Sequence, residues 1–286
     1  MDILYYLGLA ATGFVAGLLG ALLGLGGGVF VVPALRLIFG LPFLTAIGTS
    51  NVAVIATSTA GASTYVRNRL ANIRLALVLL VSTTAAALLS SLVAAYVPVQ
   101  ILSGLFAVVL LYTSYSMRRG TKSGSSTSTT EPEPETPDPL NLSSEYHDGA
   151  TGKTETYRPK RVGTGVSISA LAGVIAGLLG VGGGLVQMPV MNLLMGVPIK
   201  VATGTSNLMI GITSTSAAFV RYANGDIDPL IAVPIALFVF FGARVGAWLV
   251  PRTPNARLKQ IFSWVAIIIA GLMILQALGI YSATKR

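Results

Sequence analysis

Long apolar stretches alternate with short polar interruptions along this chain, and their spacing predicts helices. Apolar runs cover 3–23, 29–39, 45–66, 75–97 and 100–117. A second set covers 163–180, 185–195, 201–222, 229–250 and 260–280. A helix needs about 20 apolar residues to cross a bilayer. The runs 29–39 and 185–195 are too short to span alone, so each is expected to pair with the preceding helix as a half-helix or re-entrant hairpin. The run 3–23 follows no basic segment and shows no clear cleavage site, so it reads as a first membrane helix rather than a removed signal peptide. Between the sets, 119–161 is rich in Ser, Thr, Pro and Glu. That composition cannot support a packed core and predicts a disordered cytoplasmic linker. The organisation is therefore a transmembrane repeat at 1–118, a linker at 119–161 and a second repeat at 162–286.

The two sets are copies. "GLGGGVFVVPALRLIFGLPFLTAIGTSNVAVIATST" from Gly24 and "GVGGGLVQMPVMNLLMGVPIKVATGTSNLMIGITST" from Gly180 align without a gap at an offset of 156, with 16 of 36 positions identical. Further on, "YVR" at 65–67 echoes "FVR" at 219–221 after a two-residue gap. Basic residues follow the third run (Arg67, Arg69, Arg74), flank the linker and precede the last run (Arg252, Arg257, Lys259). Counting crossings puts these on one side and the acidic turn "NGDID" at 224–228 on the other. Lys285 and Arg286 fall against that rule. The exchange of basic and acidic loops between copies is the mark of inverted topology. The expected fold is an all-α polytopic membrane protein of two inverted repeats, each a Gly-broken helix pair plus about three spanning helices.

Composition narrows the chemistry. Only 10% of residues are charged against 53% hydrophobic, with no Cys and one His, His147, which lies in the linker. No disulfide, thiol or multi-histidine metal site is available, and no cofactor is expected. The net charge of +9 is not arranged as a basic stripe with exposed aromatics, so nucleic acid is not an expected partner. Carboxylates avoid the apolar runs while Arg36 and Arg244 do not, a balance that favours anions over a proton relay. The apolar runs offer no nucleophile paired with a base, so no catalytic residue is expected.

Two duplicated motifs carry the candidate site. Gly26, Gly27 and Gly28, and Gly182, Gly183 and Gly184, each end one helix and precede a short one containing Pro33 or Pro189. Such a break can aim free N–H groups and a positive helix end at an anion. Thr49, Ser50 and Asn51, and Thr205, Ser206 and Asn207, keep every residue of "GTSN" in both copies and would offer side-chain donors. The "TST" elements at 57–59 and 213–215 read as back-bonded helix hydroxyls. Symmetry is broken where Gln187 aligns with Val31 and Arg36 aligns with Asn192. Arg36 and Arg244 are candidates for substrate electrostatics, with snorkelling to the interface as the alternative. Trp248 and Trp264 read as interface anchors. Small-residue pairs Gly13/Gly17 and Gly20/Gly24 serve internal packing or a homodimer.

On these paired Gly-rich and "GTSN" elements the chain resembles the TauE/SafE family of sulfite exporters, over nearly everything outside 119–161. The resemblance implies a carrier in the prokaryotic cytoplasmic membrane for a small sulfur-containing anion, with a site built from both repeats. The Gly-rich motif maps onto Gly24, Gly26–Gly28 and Pro33 and onto Gly180, Gly182–Gly184 and Pro189. The long acidic linker departs from the family pattern. The expected function is secondary export of sulfite or an organosulfonate by alternating access. An anion channel of the same fold and a carrier for a carboxylate are the competing readings.

Overall fold

Helix α3 (Phe43–Arg67) and helix α8 (Ile199–Ala223) have 25 residues each, and both start directly after a proline. The offset of 156 seen in the motifs holds from these helices to the end of each half. In the computed structural model, which describes residues 3–120, 140–148 and 152–277, the first half continues with α4 (Ile73–Val93) and α5 (Val99–Gly120). The second half continues with α9 (Pro229–Leu249) and α10 (Asn255–Ala277). Ahead of them lie α1 (Ile3–Leu23) and α2 (Gly28–Leu37) in one half, α6 (Val162–Leu179) and α7 (Gly184–Pro189) in the other. The helix after Gly184 runs on as a π turn, Val190–Leu194. The fold is thus all-α and polytopic, with a Gly-broken pair and three further helices per half.

Caps and breakers set these boundaries. Asn72 and Asp228, at equivalent positions, accept the N–H groups of Leu75 and Leu230 and start α4 and α9. Gly40 and Gly196 adopt positive φ, and the N–H groups of Leu41 and Val197 return to the carbonyls of Leu35 and Met191, closing α2 and the π turn. The constant register corrects one sequence alignment. The "YVR" and "FVR" echo needs no gap, because the helices are equal in length. Tyr65 corresponds to Arg221, and Arg67 to Ala223.

The halves interleave. α1 lies on α9 and α6 on α4, so the first helix of each half packs on the fourth helix of the other. Glycines allow the close approach: a methyl group on Gly17 would run into the Val239 carbonyl, and one on Gly173 into that of Thr83. Gly13 meets the Ile235 carbonyl and Gly20 meets Gly27, so the small-residue stripe on α1 is used internally. α3 and α8 cross at the centre and run antiparallel. Ser58 stands at Gly211, Asn207 at Gly61 and Tyr65 at Gly204.

Among the described residues, six helices are long and apolar enough to cross a membrane. Leu77, Val81, Leu237, Phe241 and Trp248 face outward, as lipid-facing residues must. α8 is not one of the six, although 201–222 read as an apolar run. Lys200, Thr203, Thr205, Ser206 and Asn207 make it polar, and all five are fully buried, which is possible only because other helices shield it from lipid.

Part of the expected disordered linker is folded. Ser144–Asp148 (β1) pairs antiparallel with Lys153–Tyr157 (β2). Tyr146, Tyr157 and Leu142 are buried, so a few apolar residues within a polar stretch suffice when a membrane domain supplies the rest of the core. Asn72 ties the hairpin down: its Nδ2 donates to the Leu142 carbonyl (2.8 Å) and the Tyr157 hydroxyl (3.1 Å). Its own N–H donates to Thr205 Oγ1 (2.9 Å). The Arg69–Glu145 ion pair beside it is exposed and adds little. His147 sits on β1 with Nδ1 3.4 Å from Thr154 Oγ1. The linker reading for 121–139 lies outside the described residues. Asn72→Ala is expected to destabilise the hairpin by about 1–3 kcal/mol. Faster proteolysis within 140–157, with the helices intact, checks this.

Candidate functional site

Both Gly clusters break their helices by left-handed backbone. φ is +79° and +74° at Gly26 and Gly27, and +71° and +81° at Gly182 and Gly183. A side chain at these positions would be strained. α2 and the helix at Gly184 then begin without a side-chain cap. Among the described residues no acceptor is assigned to the N–H groups of Gly28, Val29, Gly184 and Leu185, which are first-turn donors.

The breaks meet each other at the centre. A methyl group on Gly26 or on Gly182 would contact both Val54 of α3 and Ile210 of α8. A methyl group on Gly28 would lie 2.8 Å from the Gly180 carbonyl, and one on Gly184 would lie 2.6 Å from the Gly24 carbonyl. The serines of "GTSN" complete the crossing. Ser50 Oγ donates to the Gly180 carbonyl (2.6 Å), and Ser206 Oγ donates to the Gly24 carbonyl (2.9 Å). Each half's serine thus closes the other half's break. In this conformation the serine protons go to these carbonyls, so Ser50 and Ser206 latch the crossing.

The asparagines behave oppositely. Asn51 and Asn207 are fully buried, and both polar atoms of each amide lack a hydrogen-bond partner. A buried amide without a partner costs about 1–3 kcal/mol. Two such amides at equivalent positions beside the breaks have polar needs that the protein itself does not meet. Thr49 Oγ1 and Thr203 Oγ1 are buried and unpartnered too, whereas Thr205 Oγ1 accepts from Asn72. Thr57 and Thr213 bond back to Ala53 and Met209, as expected for "TST".

Gln187 Nε2 donates to Thr83 Oγ1 (3.0 Å), leaving its Oε1 unpartnered. The structure does not bring the two arginines to this centre. Arg36 Nη1 donates to the Leu41 carbonyl (2.9 Å), and Asn192 Nδ2 donates to the Val197 carbonyl (2.9 Å). These are equivalent bonds, so that break in symmetry is one capping task done by two residue types. Arg244 is exposed on the outer side of α9, away from the core. Trp248 and Trp264 are exposed, consistent with anchors, and Arg252 stacks over Trp248 at 4.0 Å.

The sequence reading missed Arg221. It is fully buried near the end of α8, with Nη1 3.2 Å from Asp226 Oδ2, while its Nε and Nη2 have no partner. The constant offset would have flagged it, because it replaces Tyr65. The Tyr65 hydroxyl donates to the Ala21 carbonyl (2.6 Å) and is satisfied.

Interleaved membrane-spanning halves around a buried polar centre define the class of multi-pass membrane transporters. The chain belongs to the TauE/SafE sulfite exporter family, whose model matches residues 9–273. It is 26% identical to the probable membrane transporter protein YunE of Bacillus subtilis over 286 residues, covering 96% of this chain and 98% of that one. It is 25% identical to the probable membrane transporter protein YdhB of the same organism, covering 92% and 97%. A probable membrane transporter protein of Methanocaldococcus jannaschii is 24% identical, covering 81% and 79%. No solved structure gives a significant match.

Proposed function

We propose that this protein is a secondary transporter that exports a small sulfur-containing oxyanion, sulfite or an organosulfonate, across the cytoplasmic membrane. The observation that carries the reading is the pair of buried, unpartnered amides of Asn51 and Asn207 beside the crossed Gly breaks. Amide N–H groups and the free N–H groups at the helix starts donate to oxyanion oxygens. The halves carry inverted topology in this reading. The antiparallel α3 and α8, which are equivalent helices, support it, as does the exchange of basic and acidic loops. Rocking of one half on the other, breaking the Ser50 and Ser206 latches, alternates access. A negative-inside potential drives anion efflux by about 2.3 kcal/mol per charge per 100 mV.

The test is flux into liposomes carrying the purified protein, with sulfite, thiosulfate, sulfoacetate, taurine, sulfate and acetate compared. Saturable flux with counterflow for one sulfur oxyanion is the expected result. Unitary currents would make the protein a channel. Flux of acetate alone would move the substrate to carboxylates.

A further inference from the structure

We infer that Arg221 is the residue that recognises the charge of the transported anion, in an asymmetric site it forms with Asn51 on the side of the acidic turn. The inference rests on the reading of the protein as an oxyanion transporter and names the residue that makes the site selective for oxyanions.

Three observations place Arg221 there. The first is its own state. The guanidinium has no exposure, Asp226 occupies only Nη1, and Nε and Nη2 are both unpartnered. Those two nitrogens form one edge of the guanidinium and present two parallel N–H groups. That edge fits two oxygens of a carboxylate, sulfite or sulfonate at once. Asp226, bonded at the opposite edge, fixes the plane of the group without using this fork.

The second is register. Asn207 lies at Gly61, and Tyr65 lies at Gly204. Carried across by the offset between halves, the same packing puts Asn51 at Ala217 and Arg221 at Gly48. Contacts on that side agree. Gly48 stands against the Asp226 carbonyl as Gly204 stands against the Leu70 carbonyl. The Asp226 N–H donates to the Arg221 carbonyl (2.9 Å) as the Leu70 N–H donates to the Tyr65 carbonyl (2.8 Å). Gly48 is one turn before Asn51 on the same face of α3. By that register the unpartnered fork and the unpartnered amide share one side of the α3–α8 crossing.

The third is a route out. A cleft of about 640 Å³, open to the surface, is lined by Tyr96, Asn224 and Asp226 among others. Asp226 belongs both to this cleft and to the Arg221 pair, and is itself partly exposed. An anion held by Arg221 is one carboxylate away from the outside. The equivalent position in the other half is closed: Tyr65 is neutral, buried and bonded to Ala21. At this one position the two halves thus differ, a guanidinium in one and a phenol in the other.

The test uses the full chain reconstituted in liposomes, with sulfite, sulfate, acetate and chloride as probes. Arg221→Lys keeps the positive charge but replaces the fork with a point charge. It is expected to weaken half-saturation by the preferred oxyanion ~10-fold or more and to reduce its discrimination against chloride. Arg221→Gln is expected to lose oxyanion flux ~100-fold or more. Thermal unfolding separates these effects from misfolding. Should the Gln variant not fold, the selectivity of the Lys variant decides. Unchanged oxyanion-over-chloride selectivity in Arg221→Lys, with wild-type flux present, overturns the role of Arg221 and leaves the transporter reading intact. Absence of oxyanion flux in the wild type overturns both.

Discussion

Replacing Asn51 and Asn207 together with Ala abolishes transport while leaving the protein as stable as the wild type. That is the expected result, and its two halves have different causes. Each amide is buried with no partner, so its removal sacrifices no internal hydrogen bond. Relief of about 1–3 kcal/mol per unsatisfied group offsets the small cavities left behind. The substrate, by contrast, loses the hydrogen bond of whichever amide holds it, because Asn207 packs at Gly61, ten residues or about 15 Å along α3 from Asn51. Bonds to a charged ligand are worth about 1.5–3 kcal/mol each. Losing that bond weakens binding roughly 10–10²-fold at each amide, and the double substitution leaves neither amide to hold the anion. Initial flux rates in liposomes and thermal unfolding of the same preparations check both halves. Retained flux would remove the asparagines from the site. A large loss of stability would make them structural. The serines supply the contrast, because Ser50 and Ser206 do have internal partners and their removal acts on folding.

Gly173→Leu is expected to prevent assembly. A single methyl group at Gly173 already overlaps the Thr83 carbonyl on α4, and that backbone has nowhere to retreat. Overpacking in a close-packed interior costs about 1–3 kcal/mol for small intrusions and more for a whole isobutyl group. Gly17→Leu makes the equivalent intrusion against Val239 and shares the outcome. Gly104→Leu is the control, since a methyl group there meets nothing within 4 Å. The yield of monodisperse protein in detergent and its unfolding temperature report the difference. Normal folding of Gly173→Leu would mean that α6 and α4 are not in contact.

Much of this architecture was legible because a bilayer imposes length and apolarity on each helix and because duplication repeats every signal. Gly26–Gly28 and Gly182–Gly184 read as breaks, and they are breaks. "GTSN" read as a single donor set, and there the sequence was ambiguous. Serine and asparagine are both polar and adjacent on α3, but only coordinates show that Ser50 faces a carbonyl while Asn51 faces none. Arg36 looked like a broken symmetry because its chemistry differs from that of Asn192. A capping bond needs only one N–H, which both supply. The direction of Arg244 was unreadable for another reason: an arginine within an apolar run carries no record of which side of its helix is outside. Arg221 was hidden by an alignment that matched arginine to arginine and so shifted the register. The hairpin at 144–157 was hidden because its core is borrowed from Asn72 and the helices beneath it.

The exchange of α1 and α6 between halves has an evolutionary consequence. The first helix of each half packs most extensively on the other half, so a chain of half the length would bury that helix only by pairing with a second copy. In such a dimer every substitution appears twice, and an arginine at the position of Arg221 would have stood near both ends of the crossed pair α3 and α8. Joining the halves into one polypeptide removed that constraint. Tyr65 and Arg221 were then free to differ, as were Val31 and Gln187, so that one half offers a guanidinium where the other offers a phenol.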